Sequence, residues 1–469
     1  MAALEWGMFP YAEGVLDNYL TYFVRSRGRV LYRGLEMAQL GRLLTVTAMY
    51  YAYTGDAALL LRHVDKLAGV AGMLAGRRAA ALAAFPDPAH PRHGMPTGND
   101  EADMFFDSVQ GRKTELPYIS IAAEMWRGFR DLGSALTAAA AGNGSATAAV
   151  MLGRNLTAAA PPILADFQRS MRLSAVPGRY PRCRPYVAGD LTCGELNASE
   201  AGSARASEPW RTYSEALYSG GVERPAVEEL LAWHQTAPIA GGAGLGSRLK
   251  LGIPSGSGSD VSSGGDLSTF TVHGWGYGLL QADLIEPFLL QAYALSAHAY
   301  TRGTWVAPES SLLDRDAVNV PFATPAGLTA PLLLKWALVF EHPITHTVWI
   351  GRAVPRDWLD SATRAAGVVA AEVPTAYGRL GLTITPLRRG EIRVAVTAPA
   401  EWGEKMAARP PGGLAIRVRT PGRLTIASVT VGGAAWSTFN VTLEAVLFPS
   451  TSLTPNVIAG LQSVVLRYA

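Results

Sequence analysis

A change in hydrophobic period near residue 345 constrains this chain more than any other feature of its sequence. Before that point apolar residues recur at helical spacing in long runs such as Leu116–Ala141. After it, short stretches such as Ile392–Val396 alternate between apolar and polar residues, with Gly and Pro between them. The sequence therefore predicts a mainly α chain with an all-β module: a helical domain over 1–345 and an antiparallel β-sandwich over 346–469.

The helical part predicts nine or ten helices in consecutive antiparallel pairs, because periodic runs of similar length are separated by short turns. Successive α-hairpins can close into a toroid whose inner helices line a pocket at one end. The predicted helical runs are three between Leu16 and Leu82, then Leu116–Ala141, Ser145–Leu173, Trp210–Tyr218, Pro225–His234, Leu279–Tyr300 and Pro325–Phe340.

Composition excludes several classes of protein. Hydrophobic residues make up 49% of the chain, which is enough for a large core. The net charge of +3 carries no Lys/Arg cluster, so a nucleic-acid partner is not expected. No apolar run reaches the length that a membrane span needs. The nucleophile, zinc-protease and P-loop motifs are also missing, so the sequence predicts neither a cofactor nor a metal.

The loop over 85–115 is unusually long for a compact domain, and such loops commonly carry function. It contains three carboxylates within four residues: Asp100, Glu101 and Asp103. Mutual repulsion in a water-poor pocket holds one such carboxyl protonated, which is the state that a general acid needs. A solvated acidic loop or a calcium-binding loop fits the same residues, and both alternatives stay open.

A second candidate region runs over 273–315. His273, Trp275 and Tyr277 are separated by glycines that let a ligand approach the backbone, and a long apolar run follows them. The next loop carries Arg302, Trp305 and Glu309. A tryptophan face stacks on a sugar ring and an arginine binds hydroxyls or orients a carboxylate, so both ends of the run suggest a sugar site. The alternative for His273, Trp275 and Tyr277 is a purely structural cluster of aromatic residues, and the alternative for Glu309 is a carboxylate at the start of a helix that binds no ligand.

Four short motifs carry a resemblance to a known family: Tyr53–Asp56, Gly98–Asp103, His273–Tyr277 and Thr301–Glu309. With them the chain resembles the six-hairpin, (α/α)6 toroid glycosidase superfamily with a C-terminal β-sandwich. The resemblance covers most of the chain, although each motif is short. A closed toroid needs twelve helices, so we also expect that an N-terminal part of the protein precedes this chain.

The resemblance implies a hydrolase that cleaves glycosidic bonds of an oligo- or polysaccharide, mostly with inversion. Such an enzyme needs one acid in a mid-toroid loop and another in a late loop. Carried over by motif position, the first is Asp100, Glu101 or Asp103, and the second is Glu309. His273, Trp275, Tyr277, Arg302 and Trp305 would bind the substrate.

Two other functions fit the same residues. Several polysaccharide lyases also place a β-sandwich after an α/α toroid, and His273, Tyr277 and Arg302 suit their chemistry. The acidic cluster from Asp100 to Asp103 would repel a uronate substrate, which favours hydrolysis. A non-catalytic carbohydrate-binding protein is the third possibility.

The chain also carries signs of secretion. Four asparagines lie in N-x-S/T sequons, Asn143, Asn155, Asn197 and Asn440, where chance would give about one. Cys183 and Cys193 lie in one loop-like stretch and are expected to form a disulfide, with two unrelated thiols as the alternative. No signal peptide is visible from Met1, so a secreted or lumenal location again implies a missing N-terminal part.

Overall fold

The structure is a computed structural model. It describes residues 1–30, 36–99, 115–141, 147–176, 182, 184–190, 208–236, 254–255, 266–268, 272–298, 306–308, 310–311, 318–319, 322–360, 367–388 and 390–469. These residues form two compact units. The first contains Met1, Phe9–Ala282 and Leu290–Ala330, and the second contains Ala2–Met8, Asp283–Leu289 and Pro331–Ala469.

The first unit is helical, as the sequence predicts. Its helices are α2 (Phe9–Asn18), continued by a π-helical turn (Tyr19–Phe23), α3 (Met37–Thr54), α4 (Ala58–Arg62), α5 (Val64–Ala84), α6 (Ile119–Ala141), α7 (Thr147–Leu173), α8 (Glu208–Ser219), α9 (Arg224–Thr236), α10 (Val272–Gln281) and α12 (Thr324–Gly327). Helix α1 (Ala2–Glu5) belongs to the second unit, and the division passes through α11 (Ile285–His298) and α13 (Thr329–Leu338).

Helices α3 and α6 run in the same direction and touch through glycines. A Cβ atom on Gly41 would lie 2.6 Å from the backbone nitrogen of Met125, and one on Gly128 would lie 3.0 Å from Cβ of Leu44. Later residues of α3 therefore meet later residues of α6, which is the signature of parallel helices. The absence of side chains lets the two backbones approach closely.

Glycines also show how the following helices pair. A Cβ on Gly133 of α6 would lie 2.8 Å from the nitrogen of Thr157, whereas one on Gly153 would lie 3.1 Å from that of Thr137, so α6 and α7 form an antiparallel hairpin. In α10, Gly278 meets Leu217 of α8.

Helix α10 is parallel to α8, because its Gly274 meets Ser214, which precedes Leu217 in α8. The close glycine contacts therefore show that α3 is parallel to α6 and that α8 is parallel to α10.

The predicted single helix over Leu279–Tyr300 is wrong. The glycine-rich stretch around His273 is already helical in α10, and the chain breaks before α11 at Asp283, whose φ of 62° is left-handed. A left-handed aspartate is uncommon and is strained unless its surroundings hold it. Within the second unit Arg417 donates a hydrogen bond to its carboxylate, and Arg352 lies 3.2 Å from the same oxygen.

The Gly/Ser-rich segment over 240–266 contributes to a small sheet in the first unit. Its antiparallel strands follow the order β1 (Pro254–Ser255), β2 (Asp266–Ser268), β3 (Ser310–Ser311) and β4 (Val318–Asn319). Ser310 pairs with Ser268 on one side and with Asn319 on the other. The pairing joins the Gly/Ser-rich segment to the strand that follows Glu309 in sequence.

The second unit is built on two sheets, which confirms the predicted β module. One sheet has the order β13 (Phe439–Asn440), β14 (Ala445–Phe448), β10 (Leu414–Arg417), β6 (Val348–Ile350), β5 (Val339–Glu341). The other has the order β12 (Ala434–Ala435), β11 (Ile426–Val431), β15 (Val464–Tyr468), β9 (Glu391–Thr397), β8 (Gly378–Arg388), β7 (Val368–Thr375). Short helices α14 (Glu401–Glu404) and α15 (Pro455–Gly460) complete the unit.

Both sheets bury one face in a single hydrophobic cluster that includes Ile350, Ile416, Val394 and Leu466. Alternation along the strands produces this face, as the period of two predicts. The prediction of purely antiparallel strands is wrong for one pair, because β10 runs parallel to β6. The boundary drawn near residue 345 stays a prediction, and strand β5 and residues 331–338 before it also belong to the second unit.

One helix in the described part of the chain, α5, is long and apolar enough to cross a membrane. It buries Leu67, Val70 and Leu74, and its Arg77 and Arg78 form ion pairs. These contacts are those of a helix packed in a helical unit.

Candidate functional site

A polar and aromatic cluster lies among the four parallel helices α3, α6, α8 and α10. It brings together Arg42 of α3, Glu124 and Arg127 of α6, Tyr218 of α8, and two of the predicted site residues, His273 and Tyr277 of α10. Buried charges are rare in helical cores unless they are paired, so this cluster is the strongest candidate site among the described residues.

Arg42 and Glu124 form its central ion pair. The guanidinium donates from Nε to both carboxylate oxygens at 3.0 Å, and its Nη2 donates to Oε1. Glu124 is fully buried, whereas the Arg42 side chain keeps 19% of its surface exposed. Burial lowers the pKa of Arg42, but the carboxylate of Glu124 outweighs burial and holds that pKa above its ordinary value. The pair therefore presents one fixed, partly accessible cation.

Arg127 closes the cluster from the other side. Its Nη1 donates to the carbonyl oxygen of Tyr218 in the last turn of α8, and its Nη2 lies 3.5 Å from the Tyr277 hydroxyl, which accepts a hydrogen bond. Burial opposes its charge, but Tyr277 and Tyr218, followed by Asp131 and Glu124, outweigh burial and hold the pKa of Arg127 well above its ordinary value. A guanidinium at a helix C-terminus also stabilises the helix dipole.

Tyr218 is the aromatic centre of the cluster. The guanidinium carbons of Arg42 and Arg127 lie 4.1 and 4.6 Å from its ring centroid, which is within cation–π range. The rings of Tyr277 and His273 lie 4.8 and 5.8 Å from the same centroid. Sequence analysis named His273 and Tyr277 but missed Tyr218.

Arg42 and Glu124 of the cluster lie toward the N-terminal ends of α3 and α6, whereas Tyr218 lies in the last turn of α8. Arg42 and Glu124 each stand five residues after the first residue of their helix, about 7.5 Å along the axis. Helix α8 follows the direction of α6. Tyr186 links the N-terminal parts of both helices. Its ring meets the ring of Tyr213 in α8 edge-to-face at 6.3 Å, and its carbonyl oxygen accepts a hydrogen bond of 2.9 Å from the nitrogen of Ile119, the first residue of α6.

The described ends of the acidic loop attach at the same helix starts. Asn99, which precedes Asp100, accepts a hydrogen bond from the Met37 nitrogen at 3.4 Å, at the beginning of α3. Gly98 and Leu116 exchange two backbone hydrogen bonds of 3.1 and 3.0 Å, three residues before α6 begins. Both ends of the segment over 100–115 are therefore fixed where α3 and α6 start.

Most of the predicted catalytic and binding residues lie outside the described residues: Asp100, Glu101, Asp103, Arg302, Trp305 and Glu309. The predicted pairing of Glu309 with the acidic loop therefore stays a prediction. Trp275 is described and is buried, with 3% of its surface exposed. Its predicted role in substrate binding stays a prediction as well.

The predicted secretion features are described only in part. Asn155 of α7 and Asn440 of β13 are exposed, as a glycosylation acceptor must be. Asn143 and Asn197 lie outside the described residues, and so do Cys183 and Cys193.

The cluster suits binding and orientation more than proton transfer. Both oxygens of Glu124 are engaged by Arg42, and Asp131 is engaged by Arg127 at 3.3 Å and by Arg130 at 2.7 Å. Within the described ranges, no group of three His, Cys, Asp or Glu side chains is placed to hold a metal ion. What remains is a fixed cation beside aromatic rings, an arrangement that binds hydroxyl-rich or anionic ligands.

Glu124 and Arg127 were missed although the sequence marks them. They interrupt a mostly apolar stretch, Ile119–Phe129, and two charges three residues apart on the buried face of one helix need partners. The partner of Glu124 is 82 residues away in sequence, on α3, and no local pattern points to it.

The comparisons with known proteins add no family. No protein-family model matches the sequence, and no curated protein matches it at a significant level.

Proposed function

We propose that the chain is a glycoside hydrolase-like protein whose helical unit is an (α/α)6-type toroid with a carbohydrate site at the N-terminal ends of its inner helices. The observation that carries this proposal is the attachment of the acidic loop. Asn99 and Leu116, its described ends, are bonded at the starts of the parallel helices α3 and α6. The cluster of Arg42 and Glu124 lies about 7.5 Å further along the same helices.

The proposed chemistry uses two carboxyl groups. One of Asp100, Glu101 and Asp103 protonates the leaving oxygen, and Glu309 activates water from the opposite side of the sugar ring. Inversion requires the two groups to stand about 6.5 to 9.5 Å apart, which leaves room for that water. Arg302 and Trp305 bind the sugar beside Glu309, and the half-buried His273 and the partly exposed Arg42 orient its hydroxyls.

Amide variants test the acids directly. Asp100→Asn, Glu101→Gln, Asp103→Asn and Glu309→Gln are assayed on a glycan panel for hydrolysis and for binding. Loss of the acid and of the second carboxylate should each reduce hydrolysis by about 100-fold or more, on the order of a general acid–base contribution, while sugar binding persists. The remaining two members of the acidic trio should retain activity within a few fold.

Glu115→Gln is the matched control. Glu115 lies at the end of the same segment and pairs with Arg77 on the surface, so its loss should change neither hydrolysis nor binding. Full activity of Glu309→Gln would remove that residue from the mechanism. Hydrolysis that persists in all three acidic-loop variants would remove the loop.

Elimination is the second candidate, because the cluster holds the residue types that a lyase uses. His273 and Tyr277 lie beside Tyr218, and Arg127 lies 3.5 Å from the Tyr277 hydroxyl. A product that absorbs in the ultraviolet as an unsaturated uronate, lost in His273→Ala, would identify a lyase. Binding without either product would identify a non-catalytic carbohydrate-binding protein.

The same proposal places the protein in a secreted or lumenal compartment. The exposure of Asn155 and Asn440 supports it, since N-glycans are added to accessible sequons. Enzymatic deglycosylation of the protein from its source should increase its gel mobility, and mass mapping under non-reducing conditions should find Cys183 joined to Cys193. Unmodified asparagines and two free thiols would contradict this location.

A further inference from the structure

Exposed aromatic side chains line one side of helix α2 in the first unit. The helix and its π-helical turn bury Ala12, Leu16 and Leu20, which recur every four residues on the opposite side. Tyr11 and Tyr22 are not part of that buried stripe and expose 64% and 67% of their surface. A contiguous exposed patch of large apolar or aromatic side chains marks a site of interaction.

The exposed side chains of α2 form a continuous stripe. Val15 follows Tyr11 by one helical turn, Phe23 is next to Tyr22, and both are exposed. The rings of Phe23 and Tyr19 stack at 5.6 Å within the π-helical turn, a conformation that is common at functional sites. The stripe from Tyr11 to Tyr22 therefore extends about 15 Å along the helix.

Contacts with α4 and α5 hold the end of this helix in place. Lys66 of α5 donates a hydrogen bond of 2.7 Å to the carbonyl oxygen of Thr21. Asp17 of α2 accepts a hydrogen bond of 2.8 Å from Nη1 of Arg62 in α4. A ligand on the exposed side of α2 therefore meets a surface that is already ordered, which lowers the entropy cost of binding.

Three arginines occupy the turn that follows α2: Arg25, Arg27 and Arg29. Backbone hydrogen bonds close this turn, one of 2.9 Å from the Arg25 nitrogen to the Arg29 oxygen and one of 2.8 Å from the Gly28 nitrogen to the Arg25 oxygen. The turn packs on helix α5, where a Cβ on Gly69 would lie 2.8 Å from the carbonyl carbon of Arg27. The backbone that carries the three arginines is therefore fixed as well.

The positive charge of this arginine turn is not neutralised by the rest of the described chain. Arg25, Arg27 and Arg29 are all exposed, and none of them forms an ion pair with another described residue. Sequence analysis missed the group, because Ser26 and Gly28 separate the arginines and no run of adjacent cations forms. The turn therefore presents three unpaired guanidinium groups beside the exposed rings of α2.

The arginine turn is separate from the attachment point of the acidic loop. Glu115, at the described end of that loop, pairs with Arg77 of α5 at 3.0 Å, whereas the turn packs on Gly69 of the same helix. Eight residues of helix lie between the two contacts, about 12 Å along the axis. The Debye length at physiological ionic strength is about 8 Å, so a charge at the Glu115 end of α5 is largely screened from the turn.

Aromatic rings beside unpaired guanidinium groups suit a chain of charged sugars. A tyrosine or phenylalanine ring packs on a sugar ring, and a guanidinium binds a carboxylate through two parallel hydrogen bonds. A membrane suits this surface less well, because Gly14 and Asn18 are exposed on the same side of α2 and offer no apolar bulk for insertion. Single-stranded nucleic acid also combines stacking with negative charge and is the main competitor.

We propose that the exposed stripe of α2 and the arginine turn together bind an acidic polysaccharide. Its carboxylates pair with Arg25, Arg27 and Arg29, and its sugar rings pack on Tyr11 and Tyr22. The choice of a polysaccharide over other polyanions rests on the proposed glycoside hydrolase-like function, whereas binding at this surface requires no catalysis. The polymer is thus held at a second place on the helical unit, apart from the acidic loop.

Binding of the full chain to polygalacturonate, measured by biolayer interferometry over a range of salt concentrations, tests this surface. Methyl-esterified polygalacturonate is the matched ligand, because it keeps the sugar chain and removes the charge. We expect the free acid to bind about tenfold more tightly or better, with a difference that shrinks as salt is added. Single-stranded RNA and phosphatidylserine vesicles are measured under the same conditions and should bind more weakly than the free acid.

A triple variant removes the charge of the turn: Arg25→Gln/Arg27→Gln/Arg29→Gln. It should weaken binding to polygalacturonate by about tenfold or more. The control variant removes the same charge from exposed arginines of the second unit: Arg393→Gln/Arg423→Gln/Arg467→Gln. It should change binding by less than about twofold, because those charges lie outside the surface.

Tyr22→Ala tests the stacking without a change of charge. It should weaken binding to the free acid and to the methyl ester alike, by about fivefold or more. Equal binding of the acid and its ester, equal weakening by the two triple variants, or unchanged binding in Tyr22→Ala would overturn the proposal. So would RNA or vesicles that bind as tightly as polygalacturonate.

The same measurements separate this surface from the proposed catalytic function. A wild type that binds polygalacturonate through these arginines but hydrolyses no glycan would refute the catalytic function alone. A wild type that hydrolyses glycans, with no effect of the arginine turn on polygalacturonate binding, would refute the surface alone.

Discussion

Substitution of Gly41 by alanine tests the close parallel packing of α3 on α6. A Cβ at this position would lie 2.5 Å from the carbonyl oxygen of Glu124 and 2.6 Å from the nitrogen of Met125. Ordinary carbon contacts need about 3.5 Å, so the helices must separate by close to 1 Å. Both neighbours are backbone atoms of one helix, and neither can rotate away.

The expected cost follows from two opposing effects. Alanine favours a helix over glycine by about 1 kcal/mol, whereas overpacking of a tight contact costs about 1 to 3 kcal/mol before the Arg42–Glu124 pair is disturbed. The difference is a net loss of up to about 2 kcal/mol of stability for Gly41→Ala, which lowers the thermal midpoint by up to about 4 °C. Differential scanning calorimetry of the full chain measures this change in the thermal midpoint.

Gly76→Ala is the matched control, because Gly76 lies in helix α5 with open space around a built Cβ. Only the helix preference acts there, so this variant should gain about 0.5 to 1 kcal/mol. Equal stability of Gly41→Ala and Gly76→Ala would refute the packing of α3 against α6. It would also remove the geometry on which the proposed toroid is based.

Two further predictions concern buried ionic groups. Lys335→Met removes the cation that pairs with the buried Glu5 and should lower the free energy of unfolding by about 3 to 5 kcal/mol. The double variant Lys335→Met/Glu5→Gln should recover part of this loss in the same calorimetric assay. A loss below about 1 kcal/mol in Lys335→Met would show that the pair is not formed. Burial raises the pKa of Asp131, but Arg130 and Arg127 outweigh burial and hold this pKa below 3.8 in the folded protein. The ionised Asp131 therefore stabilises the fold above pH 3.8, and this stabilisation is lost as the pH falls through the lowered pKa. The stability gap between the wild type and Asp131→Asn should therefore narrow below pH 3.8, and a gap that stays constant from that pH down to full protonation would contradict the assignment.

Local sequence patterns were enough to predict the helical unit and the β module. The helical period before residue 345 and the alternation after it each show, within a short stretch of sequence, which side of an element is apolar and becomes buried. The helix break at Asp283 was not predictable in this way. No glycine or proline occupies that position, and the left-handed aspartate is held by arginines that are distant in sequence, Arg352 and Arg417.

Strand direction and charge pairing could not be predicted from the sequence either, because both depend on residues that are distant in sequence. Short runs of strand-forming residues identify β6 and β10 as strands, but their parallel pairing depends on a crossover that such local patterns do not encode. The N-terminal segment is a second example. Glu5 and Trp6 have no local pattern that assigns them to the β module, yet Glu5 accepts hydrogen bonds from Lys335 and from the Trp336 indole at 3.2 Å, all within the second unit.

The described cluster also narrows the proposed chemistry of the helical unit. A carboxylate serves as a general acid or base only when one of its oxygens can reach the reacting proton. Both oxygens of Glu124 are bound by Arg42, and Asp131 is held by two arginines, so neither is poised for that role. If the protein hydrolyses glycosides, Glu124 and Asp131 are therefore poorer candidates for its acids than the predicted Asp100, Glu101, Asp103 and Glu309. The buried cluster then contributes in a different way, because Glu124 fixes Arg42 beside the ring of Tyr218, where its exposed edge can orient a ligand without exchanging a proton.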